Sequence, residues 1–423
     1  MKARLLAVAL LAALALAGAV VYGLNHLDEA APTQSAAATS PAMVERGAYL
    51  ARAGNCMGCH TQRGGAPYAG GRALPTPFGD VFAPNLTPDP ATGLGQWTSN
   101  DFWAALHNGR SKDGRLLTPA FPYTNYALVT REDADALFAY LQSLPAVAQA
   151  NRAHELRFPY NTQPAMAVWR ALYFRPAVFK PDAGRSAEWN RGAYLTQGLG
   201  HCNACHAPRN SLGATPAATD FSGGMLAPLA WYAPSLHDPA EAGVADWPAQ
   251  DLRQWLKTGS SASSSALGPM GEVILGSTQF LNEADLAAMA TYLQSLPQHA
   301  AAKSTQRRPE PALRELGKAL YADHCARCHG EQGEGVKAAY PALAGSRSVQ
   351  MQNPANLLRI IQRGGFAPAT AGNPRPYGMP PFAGILSDTE QAALASFVRN
   401  AWGNQAADVR PLDVLQLKTQ RVN

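Results

Sequence analysis

The pattern Cys-x-x-Cys-His stands three times in this chain, at Cys56–His60, Cys202–His206 and Cys325–His329, and takes up all six cysteines. Paired thiols followed at once by an imidazole are the attachment pattern of c-type haem. The thiols form thioethers to vinyl groups and the histidine gives a ring nitrogen to iron. Paired thiols have two other readings. An even cysteine count in an exported chain can mean disulfides, and Cys-x-x-Cys can be half a zinc site or a redox pair. Neither calls for a histidine after every pair, and nothing at fixed spacing supplies a fourth zinc ligand. The pattern therefore predicts three covalently bound haem c groups (iron), attached at Cys56, Cys59, Cys202, Cys205, Cys325 and Cys328, with His60, His206 and His329 as iron ligands.

Three haems fit the length, since 423 residues are enough for about three domains. Covalent haem also replaces much of the core that about 100 residues would otherwise build from side chains. A repeat extends beyond the motifs. Ahead of each stands a helix-like segment: Val44–Ala53 with Gly47-Ala48-Tyr49-Leu50, Glu188–Gln197 with Gly192-Ala193-Tyr194-Leu195, and Ala312–Ala322 with Gly317 and Leu320. After each comes a middle amphipathic segment (Asn100–Leu106, Asp251–Lys257, Ala355–Gln362) and then a last helix opened by a capping residue, Thr130, Asn282 or Ser387. An aromatic follows ten residues past each cap: Tyr140, Tyr292, Phe397. The first two copies also share Leu-Gln-Ser-Leu-Pro at 141–145 and 293–297, and Ala-Pro-x-Leu at 83–86 and 233–236.

The expected architecture is all-α, with helical haem modules over 44–150, 186–300 and 312–403. An apolar connector covers 151–185, with polar linkers at 28–43 and 301–311 and a weakly ordered tail at 404–423. Ala165–Phe174 in the connector reads as a helix packed within the chain. Residues 1–27 open with Lys2 and Arg4 and run apolar from Leu5 to Val21. That is a signal by its charged start, yet long enough to approach a membrane span, which favours an uncleaved anchor over a removed signal.

The sixth iron ligand decides what each haem does, and methionine opposite histidine suits electron transfer. Met379, in Tyr377-Gly378-Met379-Pro380-Pro381-Phe382, and Met270, in Gly268-Pro269-Met270-Gly271, both read as loop residues ahead of a last helix. Met225 comes too early, and Met289 lies inside the last helix, where methionine is commonly packing. The first module has no methionine between Met57 and Met166, and Phe121 occupies the expected loop. His107 is the nitrogen donor best placed in sequence to ligate that iron, with Lys112 as a weaker one; a lone histidine on such a helix is otherwise a surface or core residue.

Six haem propionates would offset the formal +5 charge, and no basic run is present, so nucleic acid is excluded as a partner. No Gly-rich nucleotide loop, nucleophile elbow or His-Glu zinc motif appears in the sequence.

The three motifs, Asp113-Gly114-Arg115-Leu116-Leu117-Thr118-Pro119-Ala120-Phe121-Pro122-Tyr123 and Met379-Pro380-Pro381-Phe382 carry a resemblance over residues 44–403. The chain resembles the three-haem cytochrome c subunits of membrane-bound bacterial dehydrogenases, those of alcohol and gluconate dehydrogenases and of some molybdenum hydroxylases. The resemblance implies three tandem class I cytochrome c-like domains on the periplasmic face of the inner membrane, with no substrate site of their own. It implies a quinoprotein, flavoprotein or molybdenum catalytic subunit as partner and quinone or a terminal oxidase as acceptor. Related subunits often carry Met where Phe121 stands. Two other functions remain open at this stage: small-molecule chemistry, such as with peroxide, at the first haem, and a free carrier serving an oxidase.

Overall fold

Each cysteine motif follows a helix that crosses a later helix at a glycine, and the approach is close enough to explain why glycine stands there. A Cβ on Gly47 would lie 1.9 Å from the Ala136 carbonyl oxygen, on Gly192 1.9 Å from that of Ala288, and on Gly317 2.3 Å from that of Ala393. Beyond those carbonyl groups, it would meet the Cβ atoms of Tyr140, Tyr292 and Phe397. Glycine costs a helix interior about 1 kcal/mol relative to alanine. Here the cost is offset by close backbone contact and by the aromatic ring laid over the crossing.

The computed structural model describes residues 1–26, 39–226, 229–261, 264–299, 311–337 and 339–419, so residues 28–38 and 301–310 of the expected linkers lie outside the described residues, while 41–43 are helical. The chain divides into two compact units. The first comprises Met1–Ala51, Cys59–Lys180 and Asn210–Ala214; the second comprises Arg52–Gly58, Pro181–Arg209 and Thr215–Asn423. The second and third motifs thus share a unit.

Along the first part of the chain run α1 (Lys2–Asn25), α2 (Pro41–Ala53), α3 (Cys56–Cys59), α4 (Ser99–Asn108), α5 (Tyr123–Tyr126), α6 (Arg131–Gln142) and α7 (Gln163–Tyr173). Three short strands, β1 (Ala73–Thr76), β2 (Gly79–Phe82) and β3 (Glu155–Leu156), form an antiparallel sheet in that order, with Ala73 opposite Phe82 and Gly79 opposite Leu156. The fold is largely helical rather than purely so. α4 starts at a capping box in which Thr98 and Asp101 bond each other's backbone, and it stops at Gly109, whose φ of 56° few other residues adopt. Thr130 caps α6 by accepting from Asp133 N–H, and Thr162 caps α7. Arg46 on α2 holds the buried Asp133 carboxylate at 2.6 Å.

The second unit contains α8 (Ala187–Tyr194), α9 (Asn203–His206), α10 (Ala249–Thr258), α11 (Gly268–Gly276), α12 (Glu283–Gln294), α13 (Pro311–His324), α14 (Ala326–His329), α15 (Arg347–Gln350), α16 (Ala355–Arg363), α17 (Asp388–Asn400) and α18 (Pro411–Thr419). Antiparallel pairs β4 (Gly224–Leu226) with β5 (Trp231–Ala233), and β6 (Gly365–Phe366) with β7 (Gly378–Met379), lie between helices. Asn282 caps α12, and Ser387 with Glu390 forms a capping box on α17. Arg191 on α8 grips Asp285 through two bonds of 2.8 Å.

Three expectations about this unit change, the briefest being that Met379 lies in the two-residue strand β7 and not on a loop. Residues 404–419 are no loose tail: α18 lays the buried Val414 and Leu417 on α17, and the Arg399 guanidinium bonds the carbonyls of Ala407, Val349 and Met351. Met270 sits on the helix α11 rather than on a loop, because Pro269 and the following Glu-Val-Ile-Leu run start a helix at Leu267.

Candidate haem sites

Each motif closes one short helical turn. Asn55 and His201, immediately before the first cysteine in copies one and two, take the left-handed conformation (φ 49° and 36°) that turns the chain into that helix. The histidine that ends each motif is held in the same way three times. Nδ1 of His60 lies 2.8 Å from the Pro84 carbonyl, Nδ1 of His206 2.7 Å from that of Pro234, and Nδ1 of His329 2.9 Å from that of Pro341. A carbonyl only accepts, so Nδ1 carries the proton and Nε2 keeps the lone pair that a metal needs. Burial holds all three imidazoles below their ordinary pKa, only partly countered by these bonds, which favours the neutral, ligating form.

The sequence reading noted Pro84 and Pro234 in a shared Ala-Pro-x-Leu but gave the prolines no role, and it did not extend the match to Pro341. Pro84-Asn85-Leu86, Pro234-Ser235-Leu236 and Pro341-Ala342-Leu343 share Pro-x-Leu across all three copies. Proline offers only a carbonyl there, and its fixed φ stiffens the segment that presents it.

No disulfide joins any of the six cysteines. Burial, with the neighbouring Cys205, pushes Cys202 up to about 12, and burial with Cys328 pushes Cys325 to about 11, so both stay protonated. Among the described residues no three His, Cys, Asp or Glu side chains converge as a metal cage.

Within the second unit, Cys202, Cys205, His206 and Met270 line the same continuous cavity as Cys325, Cys328, His329 and Met379. Its volume is about 1110 Å³, above the roughly 300–1,000 Å³ usual for one small-molecule site. The walls are mostly apolar, including Trp247, Trp255, Ile360, Phe382 and Leu394. Thiol pairs, neutral imidazoles with Nε2 available, and thioethers in a large apolar cavity fit haem c. Ala53, Gly54 and Asn55, the stretch leading into Cys56, also line this cavity, and Ser277 Oγ donates to the Ala53 carbonyl at 2.9 Å.

Met225 and Met289 are otherwise engaged. Met225 is in β4 and its sulfur accepts from Asn353 Nδ2 at 3.3 Å. Met289 is buried in α12, where it lines the cavity as packing.

The middle helices α4, α10 and α16 are followed by Gly109, Gly259 and Gly364. Counting back from these glycines, Leu252, Trp255 and Leu256 match Leu357, Ile360 and Ile361, and all six face the cavity. The matching positions in α4 are Phe102, Ala105 and Leu106. His107 is one position further on and matches Lys257. Lys257 Nζ donates to the Leu281 carbonyl at 2.6 Å, and His107 Nδ1 donates to the Ala127 carbonyl at 2.9 Å. The His107 ring is fully buried and stacked on Trp103, with centroids 4.4 Å apart. Lys112 bonds the Gln96 carbonyl and stands 3.9 Å from Asp101. Phe121 packs on Tyr126 and on the cluster around Tyr123, Ala127 and Phe174.

Known proteins match this chain along most of its length. The family described as Cytochrome c matches residues 44–145 and 314–402. The gluconate 2-dehydrogenase cytochrome c subunit of Pantoea cypripedii is 37% identical over 396 residues, covering 89% of this chain and 90% of the relative. The cytochrome c subunit of the quinone-type alcohol dehydrogenase of Gluconobacter oxydans is 34% identical over 420 residues, covering 95% and 85%. A nicotinate dehydrogenase subunit of Pseudomonas putida is 41% identical over 389 residues, or 88% of this chain, which spans only 32% of that longer protein. Together with the haem-binding geometry, these matches place the chain in the family of dehydrogenase cytochrome c subunits, electron-transfer proteins that hold haem c covalently.

Proposed function

We propose that the chain carries electrons through three haem c groups, from the catalytic subunit of a dehydrogenase to quinone or a terminal oxidase. The partner would be of quinoprotein, flavoprotein or molybdenum type. Haem c iron supplies one-electron chemistry when bound. The chain's own residues do the rest. The cysteines fix the group, the Pro84, Pro234 and Pro341 carbonyls orient His60, His206 and His329, and Met270 and Met379 serve as sixth ligands of the second and third irons. The domain plan is three haem modules, 44–150, 186–300 and 312–403, with α1 as a retained anchor and the modules on the periplasmic side. Lys2 and Arg4 at the start of α1 favour that orientation, because positive flanks stay on the cytoplasmic face.

The observation that carries this reading is the shared cavity. Two complete sets of Cys, Cys, His and Met open into one apolar space, an arrangement suited to passing electrons rather than to binding a polar substrate. Intact mass of the denatured protein tests it, with three haems per chain expected; two, or haem lost in denaturant, would contradict it. In the complex assembled with its dehydrogenase, substrate should reduce all three haems.

A second reading applies to the first site alone. With Phe121 where a thioether would be, and His107 one position past the residues that match the cavity-facing ones of α10 and α16, we infer that His107 is a strut and that the first iron keeps no protein sixth ligand. Small molecules such as carbon monoxide or peroxide would then bind there.

A further inference from the structure

α1 and α7 together bear on how the chain meets a membrane. α1 is 24 residues long, about 36 Å at 1.5 Å per residue, against a hydrocarbon core of about 30 Å. None of its apolar span is buried: Leu6, Leu11 and Leu16 are all more than 60% exposed. Tyr22, also exposed, marks the outer end with the kind of amphipathic ring that favours the headgroup level.

That outer end is pinned. Asn25 is buried, and its Nδ2 donates to the Ala167 carbonyl of α7 at 2.9 Å. Its Oδ1 accepts from Arg170 Nε at 2.8 Å, and its carbonyl accepts from an Arg110 guanidinium N–H at 2.9 Å. Arg170 is itself buried, lies over the Phe174 ring at 4.7 Å, and also bonds the Asn108 carbonyl. A helix end held by this many bonds cannot pivot freely on the unit it anchors.

α7 therefore sits at the level where α1 leaves the hydrocarbon. One face of α7 is spent on the protein, with Arg170 and Ala171 buried. The opposite face presents Pro164, Val168 and Leu172, four residues apart and so in one stripe. Val168 is 46% and Leu172 60% exposed, and Tyr173 stands beside them.

We propose that α7 is a second membrane contact, with Val168 and Leu172 seated in the boundary between headgroups and acyl chains and the Asn25–Arg170 bond fixing the angle between anchor and body. This rests on the retained-anchor reading above. A bilayer is the occupant because the stripe adjoins the outer end of a 24-residue apolar helix that this chain leaves wholly unburied along its apolar window.

The test uses the full-length, haem-loaded chain in vesicles of phosphatidylethanolamine and phosphatidylglycerol. The native thiols are consumed by haem, so Leu172→Cys and, as a control, Glu132→Cys each offer one thiol to a charged maleimide. The expected result is a mature chain that retains residues 2–25, with the thiol at position 172 reacting at least tenfold more slowly than the one at 132. Adding Asn25→Leu should leave the chain in the vesicle and abolish that protection. Equal rates in a chain that keeps its N-terminus would overturn the α7 contact while leaving the anchor standing. A mature chain lacking residues 2–25 would overturn both. Protection that appears only when a partner subunit is added would assign the stripe to protein and overturn the lipid contact. Unchanged protection in Asn25→Leu would overturn the lock.

Discussion

The first Cys-x-x-Cys-His motif shares a scaffold with the second and third and differs from them in the side chains that accompany it. All three have the glycine crossing, the Pro-x-Leu carbonyl on histidine Nδ1 and a capped last helix. The second and third add Met270 and Met379 to a common cavity, whereas the first has Phe121 and a buried His107 whose Nδ1 donates to the Ala127 carbonyl. The parts that hold haem are thus separable from the part that sets its reactivity. One can be kept constant while the other changes.

The glycine crossings give the largest expected effect. Alanine at Gly47 or Gly192 puts a methyl 1.9 Å from a backbone oxygen, which cannot yield as a side-chain tip can. The loss of stability should reach about 3 kcal/mol or more, the upper end for overpacking. Gly317→Ala, at 2.3 Å, should cost less. Thermal unfolding of the three variants checks the order, and equal small losses would mean that the crossings are not what holds the scaffold.

Replacing Met270 or Met379 by His should lower one redox wave each and leave the others nearly in place. Thioether sulfur raises the potential, so each shift should exceed about 60 mV, a tenfold change for one electron. Spectropotentiometry decides it. Phe121→Met should do the reverse at the first site, raising its wave towards the other two.

His107→Ala sharpens the contrast further. As a strut, His107 leaves the Ala127 carbonyl without its donor when removed, at a cost of about 1–3 kcal/mol. The spin state and ligand binding of the first haem should stay unchanged. A turn to high spin in this variant alone would make His107 a ligand after all.

The smallest effect separates two otherwise matching ion pairs. Arg191 uses two nitrogens on the two oxygens of Asp285, while Arg46 directs both nitrogens to one oxygen of Asp133. Arg191→Lys should therefore cost more than Arg46→Lys, each by less than about 1 kcal/mol, because lysine cannot reproduce a two-point grip and both arginines are partly exposed.

Local chemistry was legible in the sequence. Motifs, caps and the glycine–aromatic repeat are each carried by a few neighbouring residues, and each is found where its spacing puts it. What the sequence hid is nonlocal. That the motifs at 202 and 325 open into one cavity depends on side chains more than 100 positions apart. The three-stranded sheet pairs Gly79 and Asp80 with a two-residue strand at 155–156, too short to leave a period-2 signal. His107 was read as a ligand from its donor chemistry alone, without its phase on the helix. Counting back from Gly109, Gly259 and Gly364 puts it level with Lys257, one position past the residues that face the cavity in α10 and α16. α18 was missed because its two buried residues, Val414 and Leu417, are too few to register as periodicity.

The claim that the first site alone lacks a protein sixth ligand is tested most directly by titrating the reduced, untouched full-length protein with carbon monoxide and counting ligand bound per chain. The account predicts one equivalent, bound rapidly, with the other two haems unaffected, and none once Phe121→Met is made. No binding to the native protein, or equal binding to all three haems, would contradict it.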